Sequence, residues 1–117
     1  MWLLDANMPV QLVTLLRDLG IEADSAVAHA WNNLSNGSLV SPAVQAKFAV
    51  LLTRYRLFGE SAAGALRTNS QFCVVRVALP QARADAFLQA FRAARRKVPI
   101  APVPGQMIVW PAPHVPT

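Results

Sequence analysis

Apolar residues fall into two alternating patterns along the chain, short unbroken runs and stripes at helical spacing, and that alternation predicts the architecture. Residues 1–4 form a short apolar run closed by Asp5. Leu12, Leu15, Leu16 and Leu19 then recur on one helix face, with Pro9 in the first turn and Gly20 as the C-terminal stop. A short strand is expected over 22–28, a turn-rich passage over 29–37, and one helix over 38–48 with Pro42 near its start. Phe48 to Thr53 is continuously apolar until its last residue and suits a strand covered on both faces. A small-residue helix over 61–66 and a strand over 72–79 follow. Pro80 then opens a helix with Ala84, Phe87, Leu88, Phe91 and Ala94 on one face and Arg83, Gln89, Arg92 and Arg96 on the other. Arg95, Arg96 and Lys97 complement the negative end of that helix dipole.

Prolines 99, 102, 104, 111, 113 and 116 exclude helix from the end of the chain. There, Pro104-Gly105 predicts a hairpin between Ile100–Val103 and Met107–Trp110, with residues 111–117 as a fraying tail. The order β-α-β-α-β-α-β-α predicts a three-layer α/β/α sandwich with a mostly parallel central sheet. It forms one domain over 1–110 followed by a Pro-rich tail over 111–117.

Composition narrows the class. The 117 residues are 54% hydrophobic and 15% charged, which is too apolar for a disordered chain and too short for two ordinary domains. Charged residues interrupt every apolar run before the roughly 18 residues of a membrane span, and the N-terminus lacks a basic leader, so a soluble cytoplasmic protein with no membrane partner is expected. The single cysteine, Cys73, has no partner for an internal disulfide or a Cys-rich zinc site and reads as a core residue. No Gly-Lys-Ser or Gly-Lys-Thr occurs, which excludes a P-loop. His29 and His114 lack a Ser or Cys suited to a triad. Trp31 and Trp110 read as packing or interface residues, and an edge strand at Trp110 would offer a surface to a second chain.

In an open parallel sheet, ligands gather at the carboxyl ends of the strands. Asp5, Thr53-Arg54-Tyr55 and the polar residues after Ala28 are expected on that edge. A carboxylate directly after a strand can hold a divalent metal or accept a proton; equally, Asp5 or Asn7 can cap the helix that follows. Asp5-Ala6-Asn7 lacks the Asp-x-Asp of haloacid-dehalogenase-type phosphatases, and a receiver domain's acidic pair and later Lys are missing.

Leu3-Leu4-Asp5-Ala6-Asn7-Met8-Pro9, Leu16-Arg17-Asp18-Leu19-Gly20, Trp31-Asn32-Asn33-Leu34-Ser35-Asn36-Gly37 and Val50-Leu51-Leu52-Thr53-Arg54-Tyr55-Arg56 resemble the PIN-like proteins related to PilT N-terminal domains, over residues 1–80. The resemblance implies a PIN-like sandwich, metal-dependent ribonuclease activity of the toxin–antitoxin kind, an acidic cluster that binds Mg²⁺ or Mn²⁺ to activate water, an antitoxin-like protein partner, and a homodimer. Its site residues fall on Asp5, Asn7, Ser38, Thr53 and Tyr55, with Asp5 as metal ligand. Asp5, Asn7 and Pro9 match the motif, whereas Ala6 stands for a Glu, Ser38 for the middle acid and Tyr55 for the acid after the third strand.

One carboxylate is thereby kept, and Mg²⁺ ordinarily takes one or two carboxylates together with substrate phosphates. The expectation is a weakened or inactive ribonuclease, with Asp24 and Glu60 as the acids that could compensate. The alternative is a non-catalytic RNA- or protein-binding module on the same scaffold. For RNA, Arg54, Arg56 and Arg67 would flank the cleft and meet phosphates, and Tyr55 would stack on a base. Arg92, Arg95, Arg96 and Lys97 read as solvated surface.

Overall fold

Strand and helix alternate strictly in the computed structural model, which describes residues 1–31, 33–34, 36–54 and 60–111. The order is β1 (Trp2–Leu4), α1 (Gln11–Asp18), β2 (Ala23–Ser25), α2 (Asn36–Gln45), β3 (Val50–Thr53), α3 (Glu60–Thr68), β4 (Cys73–Val77), α4 (Ala84–Lys97) and β5 (Met107–Trp110). The five strands form one sheet in the order β2-β1-β3-β4-β5, and every pairing is parallel.

Side-chain alternation along the strands divides the interior into two layers. Leu4, Val50, Leu52, Cys73, Val75 and Val77 pack with Leu12, Leu15 and Leu16 of α1 and Phe87 and Phe91 of α4. Leu3, Leu51 and Val74 face the other way, onto Leu39, Val40 and Ala43 of α2 and Leu66 of α3. The molecule is therefore the expected α/β/α sandwich, and its sheet is parallel throughout. Burial on both faces explains the unbroken apolar strands, each buried Leu or Val contributing about 1.5–3 kcal/mol. No helix among the described residues is long and apolar enough to cross a membrane.

Four local departures matter. The run expected over 22–28 pairs only at Ala23–Ser25, because the chain turns at once, with Trp31 and His29 amides donating to the Ala26 carbonyl and Ala30 at φ 58°. The helix expected over 38–48 begins at Asn36 and ends at Gln45, with Pro42 inside it. Proline costs that helix one donor, and Leu39, Val40 and Ala43, all fully buried, hold it in place. The last helix begins at Ala84, so residues 78–83 run as a connection along the carboxyl edge of the sheet.

The fourth departure is the hairpin, which does not form: residues 100–103 carry no strand, and Met107–Trp110 pairs in parallel with β4. The Gly105 amide donates to the Phe72 carbonyl at 2.7 Å and the Val74 amide to the Gln106 carbonyl at 3.1 Å. These bonds bring the turn beside the beginning of β4, so β5 starts from the same end. Trp110 fixes the other end of β5, its Nε1 donating to the Val98 carbonyl at 2.6 Å and its ring lying 4.9 Å from Phe91. Among the described residues β5 stands at the edge of the sheet.

Candidate functional site

The order β2-β1-β3-β4-β5 reverses direction between β1 and β3. Helix α1, which follows β1, and helix α3, which follows β3, lie on opposite faces of the sheet, opening a crevice between the carboxyl ends of those two strands. Asp5 ends β1 and Thr53 ends β3, so both stand at the switch.

Register sharpens this placement. Leu4 pairs with Leu52 and Thr53 with Arg76, so one step further Asp5 lies opposite Thr53. Leu3, Leu51 and Val74 form an apolar row on the α2/α3 face, and two residues later Asp5, Thr53 and Arg76 continue it as a polar row. Thr53 is fully buried and Asp5 is 9% exposed. The Thr53 hydroxyl donates to Asp5 Oδ2 at 2.7 Å, and the Ala6 amide donates to Asp5 Oδ1 at 2.7 Å. Asn7 bridges the same two strands: its Nδ2 donates to Thr53 Oγ1 at 3.4 Å, and its Oδ1 accepts the Arg54 amide at 3.2 Å.

Neither Asp5 nor Asn7 caps α1, whose N-cap is Val10 and has no side-chain cap bond. The Asp5 carbonyl instead accepts the Met8 amide at 3.0 Å, closing a turn between strand and helix. The carboxylate is thus spent across the sheet, between two strands.

Beside this row an open cleft of about 820 Å³ is lined by Asn7, Arg54, Arg76 and residues 77–81. Arg54 and Arg76 are half-buried, and the Arg54 guanidinium carbon lies 5.4 Å from the centre of the Phe87 ring, a distance at which the ring face attracts the cation. The two ion pairs among the described residues are His29–Asp24 at 3.2 Å and Arg83–Asp85 at 3.8 Å. Among those residues no carboxylate neutralises Arg54 or Arg76.

The remaining expected site residues are dispersed. Ser38 is exposed in the first turn of α2. Arg67 lies in the last turn of α3, where it lines a separate cavity of about 270 Å³ with Ala63, Leu66, Gly105 and Met107. Helix α3 runs back against the strands, so that cavity sits at the amino edge, away from Arg54. Asp24 pairs in register with Leu3, and its carboxylate accepts the Ser25 amide at 2.9 Å and meets His29 Nε2 at 3.2 Å, which leaves it outside the Asp5 group. His29 in turn stacks on Trp31 and meets the edge of Phe48, so Trp31 is a packing residue. Tyr55, Arg56, His114 and the side chain of Glu60 lie outside the described residues.

No group of three His, Cys, Asp or Glu side chains able to hold a metal ion occurs among the described residues. Asp5 offers one carboxylate whose two oxygens already accept hydrogen bonds, and Mg²⁺ or Mn²⁺ wants a nearly complete shell of oxygens. These donors do not make a resident divalent site by themselves.

Arg76 is the site residue that the sequence pattern did not single out. Its signal was one charge inside the run Cys73-Val74-Val75-Arg76-Val77, unexpected in a strand covered on both faces unless that residue stands at the edge of the layer.

Fold and crevice define an all-parallel, three-layer α/β sandwich with a cleft lined by Arg54 and Arg76 at the carboxyl edge of its sheet, beside the switch point. Compared with protein-family models, curated proteins and solved structures, the chain gives no match.

Proposed function

We propose that this protein is a PIN-like domain that holds RNA by its phosphates at the carboxyl edge of the sheet, with ribonuclease activity weakened or lost. The observation that carries the reading is the contrast at that edge. The carboxylate of Asp5 is committed to Thr53 and Ala6, while Arg54 and Arg76 line the adjacent cleft without a carboxylate partner among the described residues. Guanidinium groups bind phosphate through paired N–H donors, which gives affinity without reading bases. The motif around Asp5-Ala6-Asn7 and Thr53-Arg54-Tyr55 supports RNA as the polyanion.

The test is anisotropy of a labelled single-stranded RNA at about 50 and about 200 mM salt, each phosphate contact contributing a slope of about 0.7 in log affinity against log salt. Arg54→Gln and Arg76→Gln should each weaken binding and lower that slope by about one contact. Absence of binding at the lower salt sinks the proposal. Cleavage in Mn²⁺ that disappears in Asp5→Asn would return the weight to an active nuclease using Asp5 together with substrate phosphates.

The free edge of β5 favours a second reading, in which the scaffold holds a protein, either a second copy or an antitoxin-like partner. Among the described residues no strand pairs with the outer side of β5, and Met107 at its start is exposed. Light scattering over a concentration series checks the homodimer; a monomer at every concentration removes it.

A further inference from the structure

We infer that the outer edge of β5 takes up an extended segment of another protein as an added strand, and that an acidic side chain of that segment meets Arg67; this rests on the second reading above, of β5 as a protein-binding edge. The ladder fixes which groups are on offer. The Val74 amide donates to the Gln106 carbonyl and the Ala78 amide to the Trp110 carbonyl, so the even-numbered residues of this stretch turn their backbone groups toward β4. Met107 and Val109 therefore aim their N–H and C=O groups outward, away from β4. Among the described residues no strand pairs with them there. Main-chain bonds to such an edge supply affinity, and hollows for alternate side chains supply specificity.

The two edges of the sheet differ in their protection. β2 pairs over only three residues and carries Asp24, a charge that opposes contact between edges. β5 has no such guard: no charged side chain occurs from Val98 to Pro111, and Met107 is 42% exposed. Met107 pairs in register with Val74, and Val109 with Arg76, which puts both side chains on the α2/α3 face, while Ile108 packs into the layer beneath α4. On the α2/α3 face Met107 shares its cavity of about 270 Å³ with Ala63, Leu66 and Arg67 of α3 and with Gly105. A strand laid along β5 sends every second side chain to that face. The one nearest the start of β5 meets an apolar hollow with the exposed Arg67 beside it.

Charge decides between occupants. Asp5, Asp24 and Asp85 are engaged by Thr53, His29 and Arg83, and Asp18 and Glu22 lie at the connection from α1 to β2, the far edge of the sheet. Glu60 begins α3 seven positions before Arg67, outside the three- and four-residue spacing at which helix side chains pair. Those are all the acidic side chains of the sequence, so a carboxylate for Arg67 has to come from another molecule. A second copy of β5, Met107-Ile108-Val109-Trp110, brings none, and a partner segment with an acidic residue among apolar ones does.

The probes are synthetic peptides of about eight alternating Val and Thr residues that differ at one central position, Glu, Gln or Lys, titrated into the full chain while its backbone amide shifts are followed by NMR. The Glu peptide should shift the Met107 and Val109 amides and bind about threefold more tightly than the Gln peptide at low salt. Val109→Pro removes one outward donor and leaves the β4 ladder intact, so it should abolish binding of every peptide without loss of fold. If it does not fold, Met107→Pro carries the same comparison. Arg67→Gln should erase the preference for Glu over Gln, and Arg67→Glu should transfer it to the Lys peptide.

Equal affinity for the three peptides, lost together in Val109→Pro, overturns the acidic partner and leaves β5 a protein-binding edge. A preference for Glu that survives Arg67→Gln, or binding that survives Val109→Pro, also overturns the inference. No peptide binding, with a dimer in light scattering that Val109→Pro dissociates, overturns it in favour of a second copy. No peptide binding and a monomer at every concentration overturn both the inference and the reading it rests on.

Discussion

Thr53 and Asp5 lie 48 positions apart in the chain, yet the Thr53 hydroxyl donates to Asp5 Oδ2 at 2.7 Å within the buried edge of the sheet. The bond ties β1 to β3 at the point where the strand order reverses. It also decides what Asp5 is available for, since its other oxygen accepts the Ala6 amide.

Thr53→Val keeps the shape of the side chain and removes the donor, stranding a carboxylate oxygen that is nearly out of water. The expected cost is about 1–3 kcal/mol, read from the urea midpoint. Repeating the substitution in an Asp5→Asn background should cost less, with a coupling of about 0.5–3 kcal/mol between the two sites. Strict additivity would mean that the bond contributes nothing to stability.

Two glycines at positive φ should respond differently to the same change. Gly20, at φ 84°, has open space where a Cβ would stand, so Gly20→Ala costs the left-handed conformation alone, about 1–2 kcal/mol. Gly105, at φ 78°, would place its Cβ 3.1 Å from the Ser70 carbonyl oxygen, which adds a clash with backbone at the turn that seats β5. Gly105→Ala should therefore lower the melting temperature more than Gly20→Ala. The reverse order would refute this account of the turn.

Burial pushes the Cys73 thiol up, an effect that the Val103 amide, donating to Sγ at 3.3 Å, opposes only in part. Folding therefore favours the protonated thiol. Its contribution to stability is fully present below the ordinary thiol range, and it declines as pH rises from about 8.5, because the unfolded chain loses the proton first. Urea unfolding across that range should show an alkaline loss that Cys73→Ala lacks. Rapid reaction of the native protein with a disulfide reagent at about pH 8 would contradict the buried, protonated thiol.

Trp110→Phe retains a ring against Phe91 and removes the Nε1 bond to the Val98 carbonyl. The expected loss is about 1–3 kcal/mol. Faster amide exchange at 107–110 than in β4 should accompany it, since this bond anchors the edge strand to the end of α4. Unchanged exchange there would assign the anchoring to the β4 ladder alone.

Local order was legible in residue pattern because its causes are local. Leucines at three-and-four spacing before Gly20, apolar runs at 2–4, 50–53 and 73–77, and the amphipathic stripe of Phe87 and Phe91 each report a preference that a short segment satisfies for itself. The layered architecture follows from their alternation, and Cys73 sits in the core as its neighbours imply. Asp5 and Thr53 were recognisable as edge residues for the same reason, standing where apolar runs stop.

Which of those ends would meet was decided only in three dimensions. Strand order and register come from hydrogen bonds between segments far apart in sequence, and a shift of one residue would move Arg76 off the row it shares with Thr53 and Asp5. The same non-local pairing turned 107–110 parallel to β4 instead of back on 100–103, sent Arg67 to the opposite edge from Arg54, and engaged Asp5 with Thr53 instead of a helix cap. Periodicity within a segment records which side of it is apolar and carries no term for the neighbour it will find. The residue types were therefore written in the chain, and their assembly into a basic cleft beside one committed carboxylate was set by the sheet.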